Sequence, residues 1–401
     1  MKFDVVQLGS TGVGVIDGDR GKNYPHQNEL FNTGFCLFLS AKNVTKSGFN
    51  FSETQFISPE KDALLNNGKL KRGDIVITTR GTVGNVALYS QQVSYDNIRI
   101  NSGMLIIRCP HNISNQYLYQ VLRSEWFQKQ IMTVQSGSAQ PQLPKSHFLK
   151  MNIPLPPLPI QKKIASILQL IEDKITINNA INDNLQQQAR ALYKSWFVDF
   201  EPFGKQMPDL WKIGKLKEVL YLRKEVLKAG ERTDLCYLPI DTIPMNTFAL
   251  TATRPNEEAQ SSLLAFNRDD IIIGAMRVYF HRVIIAPFDG ITRSTCFVLT
   301  PKDLNYLAFG LLCCDQDKSI EFAQQSSKGS TMPYAVWDGG LGELEIAIPP
   351  QDIASEFNAI IMPMIRKIQK SYYETGILSN IRDTLLPKLM SGEIDVSAVQ
   401  L

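Results

Sequence analysis

The chain has 401 residues, 44% of them hydrophobic and 20% charged, the make-up of an ordinary globular protein with room for two or three domains. Its formal net charge of +3 does not mark a strongly basic nucleic-acid binder. No run of apolar residues approaches the roughly 18 needed to cross a bilayer, and the longest, at 304–314, contains Asn305.

The opening MKFDVVQLGS lacks the basic-then-apolar pattern of a signal peptide, so a cytoplasmic location is the default expectation. The cysteines (Cys36, Cys109, Cys236, Cys296, Cys313, Cys314) form no CxxC pair, and the histidines are scattered. Free thiols and no metal site are expected. Charge is unevenly spread. Residues 1–150 hold 16 Lys and Arg against 10 Asp and Glu, a surplus of six positives, whereas residues 208–350 hold 15 against 18, a deficit of three. If both regions bind nucleic acid, the second must do so through a local basic cluster.

In chain order the same pattern runs twice, offset by nearly half the chain. An apolar segment with a polar end, LFLSAKNV from Leu37, is echoed by YLPIDTI from Tyr237. A charged step into a β-branched run follows, RGDIVITTRG from Arg72 and RDDIIIGAMR from Arg268. Next come SYDNIRINSGMLIIR from Ser94 and PFDGITRSTCFVLT from Pro287, predicted as strands. A helix carrying Tyr117 and Leu118 is matched by Tyr306 and Leu307. A small-polar loop, SGSAQPQ from Ser136, is matched by KGSTMPY from Lys328, and each repeat ends on a strand with two prolines, NIPLPP and EIAIPP. Each repeat is therefore an α+β domain.

Proline ends a ladder, so Pro156-Pro157 and Pro349-Pro350 close the two domains. A long heptad helix is predicted after each. In the first the seam is Ile164, Leu168, Ile171, Ile175, Asn178, Asn182, Leu185, Ala189, Leu192 and Trp196. In the second it is Phe357, Ile361, Met364, Ile368, Ser371, Thr375, Leu378, Arg382, Leu385 and Leu389, with Pro363 a candidate kink. Both seams have a polar centre. Packed antiparallel as a coiled coil, centre meets centre, and Asn178, Asn182, Ser371 and Thr375 can satisfy one another while fixing register. The plainer alternative is that each helix packs on its own domain. The boundaries expected are 1–155 for the first domain, 156–196 for its helix, 197–207 for a short linker, 208–348 for the second domain, 349–390 for its helix and 391–401 for a tail.

Catalytic signals are missing. There is no Asn-Pro-Pro or Asp-Pro-Pro tetrapeptide for amino methylation and no GxxxxGK[ST] phosphate loop. The glycines of LGSTGVGVIDGDRG lack a following amphipathic helix and read as turns. A binding module is favoured, with a solitary methyltransferase or nuclease and a pure coiled-coil scaffold as rivals.

The segments KRGDIVITTRGTVGNVALYS, NIRINSGMLIIR, SGSAQPQLPKS, IPLPPLPIQKKIASIL and ALYKSWFVDFEPF, with WKIGKLKEVL, IPPQDIASEF and LLPKLMSGEIDV in the second half, resemble the specificity subunits of type I restriction-modification enzymes. The likeness spans nearly the whole chain, although MRVYF in the second half stands where RGTVGNVAL stands in the first. The resemblance implies two target-recognition domains, each reading half of a split site in double-stranded DNA, and a helix pair acting as a ruler between them. It also implies docking of two methyltransferase (modification) subunits, with restriction subunits joining the full complex. Cofactors would belong to those partners, and this chain would itself bind none and catalyse nothing.

Candidate DNA contacts follow from residue chemistry. Arg80 in the turn TTRGTVG can reach guanine or phosphate, or simply be a solvated arginine. Arg277 is its expected counterpart, within a basic-aromatic cluster of Tyr279, His281 and Arg282. Ser138, Gln140, Gln142 and Lys145 lie in the first small-polar segment, which can read adenine and hold phosphate or be a plain turn. Ser330, Thr331, Tyr334 and Trp337 occupy the matching segment. Arg99 and Asn101 are weaker candidates, with Arg293 their rough equivalent.

Overall fold

A computed structural model describes residues 3–134, 141–250 and 252–399. The chain divides into two compact units, Met1–Asp173 with Ser379–Leu401 and Lys174–Leu378, so each long helix contributes a segment to both.

In the first unit, strand Ile75–Thr78 is buried along its length because both of its faces are covered. Ile75 and Ile77 point into a core with Tyr117, Leu118, Val121 and Phe127 of the helices, while Val76 points the other way, towards Leu37, Tyr89 and Ile98. Met104–Arg108 alternates in the same manner, Leu105 and Ile107 to one side, Met104 and Ile106 to the other. These strands belong to an antiparallel sheet in the order Gly14–Asp17, Met104–Arg108, Ile75–Thr78, Val86–Leu88. A second sheet sets Cys36–Leu39 between antiparallel Phe56–Ile57 and parallel Ile98–Ile100. Val5–Gln7 pairs with Asn152–Pro154 and ties the start of the chain to the end of the domain.

The second unit repeats this plan. Its antiparallel sheet runs Leu220–Leu222, Cys296–Pro301, Ile271–Gly274, Val283–Ile285, the same strand order. Ile271 and Ile273 face one core, Ile272 the other. Cys236–Tyr237 lies parallel to Gly290–Arg293, as Cys36–Leu39 does to Ile98–Ile100. Lys212–Lys215 pairs with Glu345–Ile348. The repeat extends to polar detail. Asp74 and Asp270 are both buried at the turn entering the central strand, each accepting a backbone N–H three residues back at 2.7 Å. Arg108 answers Asp74 and Arg223 answers Asp270. Tyr117 donates its hydroxyl to the Pro154 carbonyl at 2.9 Å, and Tyr306 donates to Pro349 at 2.8 Å.

After each proline pair a long helix runs, Leu158–Phe197 and Gln351–Ser391, the latter unbroken at Pro363. In the second unit Phe197 packs edge-on to Phe357 at 4.7 Å, and farther along Asn178 Nδ2 donates to Glu374 at 3.0 Å and approaches Thr375 at 3.5 Å. In the first unit Arg382 donates to Glu172 at 3.0 Å. Numbers fall on one helix as they rise on the other, so within each unit the segments run antiparallel.

The seam differs from the heptad expectation in two respects. Leu185, Met364 and Leu385 are half-buried, and Gln186, Ile365 and Leu386 beside them are buried. A helix turns every 3.6 residues and drifts about 20° per heptad from a strict 3.5 repeat, so the innermost position slips by one residue. Ile164, Leu168 and Phe357 are fully buried, while Ile171 and Leu378 are half-buried. The polar centre also does not satisfy itself. Asn178, Asn182 and Ser371 are fully buried, yet both side-chain polar atoms of Asn182, the Asn178 Oδ1 and the Ser371 hydroxyl have no hydrogen-bond partner. The six cysteines are free, no helix is long and apolar enough to cross a membrane, and no potential metal cluster occurs among the described residues.

Candidate nucleic-acid interface

In the first unit the central strand ends at Thr78, and the backbone N–H groups of Thr79 and Arg80 both donate to Gly103 O, at 2.7 and 3.3 Å. Arg80 also bridges to Gln142, and Leu143 N–H donates to Thr79 O at 3.0 Å. Chain segments far apart in sequence thus bring Arg80 and Gln142 to one end of the sheet. Arg80 is exposed, Gln142 half-buried, and Lys145 stands exposed at the start of the short helix Lys145–Leu149. Ser138 and Gln140 lie outside the described residues.

Asn101 helps to shape this end, because its Oδ1 accepts the Gly103 N–H at 2.9 Å and holds the 101–103 turn. Arg20, absent from the sequence expectations, reaches the Ser102 carbonyl at 3.3 Å and is exposed there. It is brought near by Gly18, where a Cβ would stand 2.1 Å from the Asn101 carbonyl oxygen. The glycine-rich IDGDRG was the available signal, but a turn motif does not reveal what the turn crosses.

Arg99 is corrected outright. It is 5% exposed. Its guanidinium donates to Asp62 Oδ1 at 2.5 Å and to the carbonyls of Asn67, Asp62 and Leu65 at 2.6, 2.9 and 3.0 Å. Burial alone would raise the Asp62 pKa, but hydrogen bonds from Lys69 and Arg99 hold it below the usual aspartate range. Arg99 is a brace inside the domain.

The second unit builds the same junction from different side chains. Ala275 and Met276 donate their N–H groups to Thr295 O at 2.9 and 3.2 Å, Met276 bridges to Tyr334, and Ala335 N–H donates to Ala275 O at 2.9 Å. The counterpart of Arg80 is therefore Met276, not Arg277, and that of Gln142 is Tyr334. Arg277 follows in a left-handed conformation, exposed, its N–H donating to Pro333 O at 2.8 Å. Tyr334 is half-buried and donates its hydroxyl to Ser294 O at 2.6 Å, and burial raises its pKa, so it stays a neutral donor. Ser330 and Thr331 are exposed in the loop that Lys328 and Tyr334 close, and Arg293 is exposed at the end of its strand.

Two further expectations change. Trp337 is buried, packed against Phe297 at 6.3 Å, and belongs to the core. Arg282 turns back to donate to the Ile243 carbonyl and lies 5.7 Å over the Phe280 ring, so it supports the turn. Tyr279 stays exposed, ring to ring with Phe280 at 4.9 Å. His281 contacts Asp315 at 3.0 Å, and Asp315 also accepts from Arg190 at 2.7 Å.

Comparison with known proteins gives three findings. A family model described as type I restriction modification DNA specificity domain matches residues 4–187. The type I restriction enzyme MjaIX specificity subunit of Methanocaldococcus jannaschii is 26% identical over 81% of this chain and 78% of its own length, and the HindI specificity subunit of Haemophilus influenzae is 30% identical over 46% and 40%. The crystal structure of a type I restriction-modification S subunit from M. genitalium shares the fold, with a TM-score of 0.64 at 15% identity over 97% of this chain and 96% of that one.

Proposed function

We propose that the chain is a specificity subunit of a type I restriction-modification system, that it reads a two-part sequence in double-stranded DNA on behalf of catalytic partners, and that it performs no chemistry itself. The observation that carries this reading is the repeated junction. In each unit the strand leaving the central sheet is clasped to one carbonyl, Gly103 or Thr295, and bridged to a distant loop, and the side chains at that junction differ. One scaffold with two sets of tip residues suits two modules reading different bases.

In the first domain, residues 1–155, Arg80 takes guanine O6 and N7 or a phosphate, Gln142 pairs with a base edge, and Lys145 and Arg20 hold the backbone. Gln140 and Ser138 are proposed as further contacts from their residue chemistry alone. In the second, residues 208–348, Tyr334, Ser330 and Thr331 face the bases while Arg277 and Arg293 supply charge. The helices 156–196 and 349–390 set the unread spacer. They also dock two methyltransferase subunits, to which restriction subunits are added. Leu170, Ile177 and Ile181 stand exposed along the first long helix, and Tyr373 and Ile377 along the second, which suits helices that bury apolar surface against partners. The site of action is the cytoplasm.

The test is to express the chain with its methyltransferase subunit in a host lacking adenine methylation and to map the modified genome. A single motif of two short blocks with a fixed gap is expected. Methylation at a continuous motif, or by the chain without its partner, would overturn the proposal.

A further inference from the structure

The turn that follows the junction differs between the two units in a way that the shared scaffold does not require. In the first it is closed by Thr78 N–H donating to Asn85 O, and its left-handed corners are glycines, Gly81 at φ 73° and Gly84 at φ 93°. At Gly84 the positive φ would strain any other residue, and a Cβ would also stand 2.6 Å from Gln128 Oε1, which would have to shift. In the second unit Gly274 N–H donates to Arg282 O and closes a turn one residue longer. Its left-handed corners are Arg277 at φ 52° and His281 at φ 50°. Such backbone is uncommon for residues with a Cβ, and it persists only where the surroundings over-determine it.

The surroundings here do so. Arg277 N–H donates to Pro333 O at 2.8 Å, His281 N–H to Val278 O at 2.9 Å, and Asn246 N–H to His281 O at 2.9 Å. The His281 ring contacts Asp315 at 3.0 Å, and Asp315 is in turn gripped by Arg190 of the first long helix. Val278 is buried beneath the turn. What this frame holds out is an aromatic pair, Tyr279 at 46% and Phe280 at 38% exposure, and beside it Arg277, which has no acid within ion-pair distance among the described residues. The ordered frame thus presents two adjoining aromatic rings and a guanidinium to solvent together.

We propose that Tyr279 and Phe280 form a pre-ordered aromatic wedge that enters the base stack of the half-site read by the second domain, Arg277 meeting the adjacent phosphate. The first domain, with its glycine-cornered turn, has no wedge and reads an undistorted groove. The inference rests on the DNA-reading function. The wedge favours a pyrimidine–purine step, the step that unstacks most easily, and so adds specificity at a position without a base-edge hydrogen bond.

The experiment uses the full chain with its methyltransferase subunit and duplexes carrying the mapped site. 2-Aminopurine is placed in turn at each non-target position of both half-sites. Binding should raise its fluorescence at one step of the second half-site. The Tyr279→Ala/Phe280→Ala double variant should abolish that rise and weaken cognate binding by about 5- to 100-fold. Its melting temperature, its assembly with the partner and its base preference in the other half-site should be unchanged. Unaltered fluorescence and affinity in the double variant would overturn the wedge while leaving DNA reading intact. Loss of partner assembly with DNA binding preserved would overturn it in favour of a protein-docking role. A wild-type complex that binds no duplex would overturn both the wedge and the function on which it rests.

Discussion

Arg99→Ala separates a buried brace from a DNA contact. The arginine and Asp62 side chains are 6% and 7% exposed, and four hydrogen bonds tie the guanidinium to one segment, Asp62–Asn67. Removing one partner of a buried ion pair costs about 3–5 kcal/mol, because the other charge is left in the interior. Lys69 still reaches Asp62 at 2.5 Å and is 44% exposed, which places the expected loss at the lower end, about 3 kcal/mol. For a unit of this size that is a fall in Tm of roughly 6–12 °C.

The pH dependence follows from the same pair. Asp62 has a lower pKa folded than unfolded, because Lys69 and Arg99 outweigh its burial. The stability it contributes is present above the ordinary aspartate pKa of about 3.9 and disappears as pH falls through the lower folded value. The variant should therefore lose less stability than the wild type on acidification through that window. Thermal unfolding followed by circular dichroism at neutral and acid pH measures both effects, with duplex binding by the complex measured in parallel at a temperature where the variant is folded. An unchanged Tm with weakened, sequence-dependent DNA binding would refute the brace and restore Arg99 as a reader.

Other outcomes follow from the same geometry. Arg80→Ala and Gln142→Ala should relax base preference at particular positions of one half-site by about 1–3 kcal/mol each, read from a mismatch panel, whereas Lys145→Ala should weaken all sequences alike and reduce the salt slope. Equal losses on every duplex for all three would make them phosphate anchors. Trp337→Ala should destabilise its unit by about 3–5 kcal/mol in a melting experiment, and a stable variant with altered specificity would contradict its place in the core. Asn182→Leu should raise the melting temperature, since no hydrogen bond is lost, and should broaden the oligomeric state measured by light scattering; a destabilised monomer would show that the asparagine is satisfied after all. Inserting a few residues after Phe197 should lengthen the methylated spacer without changing either half-site, and an unchanged spacer in an active complex would place the ruler in the partners.

Much of the fold was legible because periodicity survives divergence. The β-branched runs IVIT and IIIG read as strands, and the two proline pairs mark where strand gives way to helix; that both strand faces are covered emerges only from the packing. What one-dimensional patterns could not supply was the identity of distant partners. Arg99 looks like a free cation in NIRINSG until Asp62 closes on it from a helix 37 residues away. Trp337 resembles a recognition aromatic in its loop, yet the chain turns inward there to complete the core. Charge alone points to Arg277 as the counterpart of Arg80, one residue late, whereas backbone bridging assigns it to Met276. The heptad gave the correct stripe but the wrong innermost residue at several levels, because the true period of a helix is longer than seven halves. The polar seam was visible, but that Asn182 meets no partner within it was not.

The central claim is that two separable modules each read one half of the site. Residues 1–155 of this chain are exchanged for the corresponding domain of a specificity subunit with a different target, the chimera is expressed with its methyltransferase subunit, and genomic adenine methylation is mapped. The account predicts a motif in which one block is replaced, the other block is retained base for base, and the gap is unchanged. A chimera that methylates efficiently with both blocks altered, or with neither altered, would contradict it.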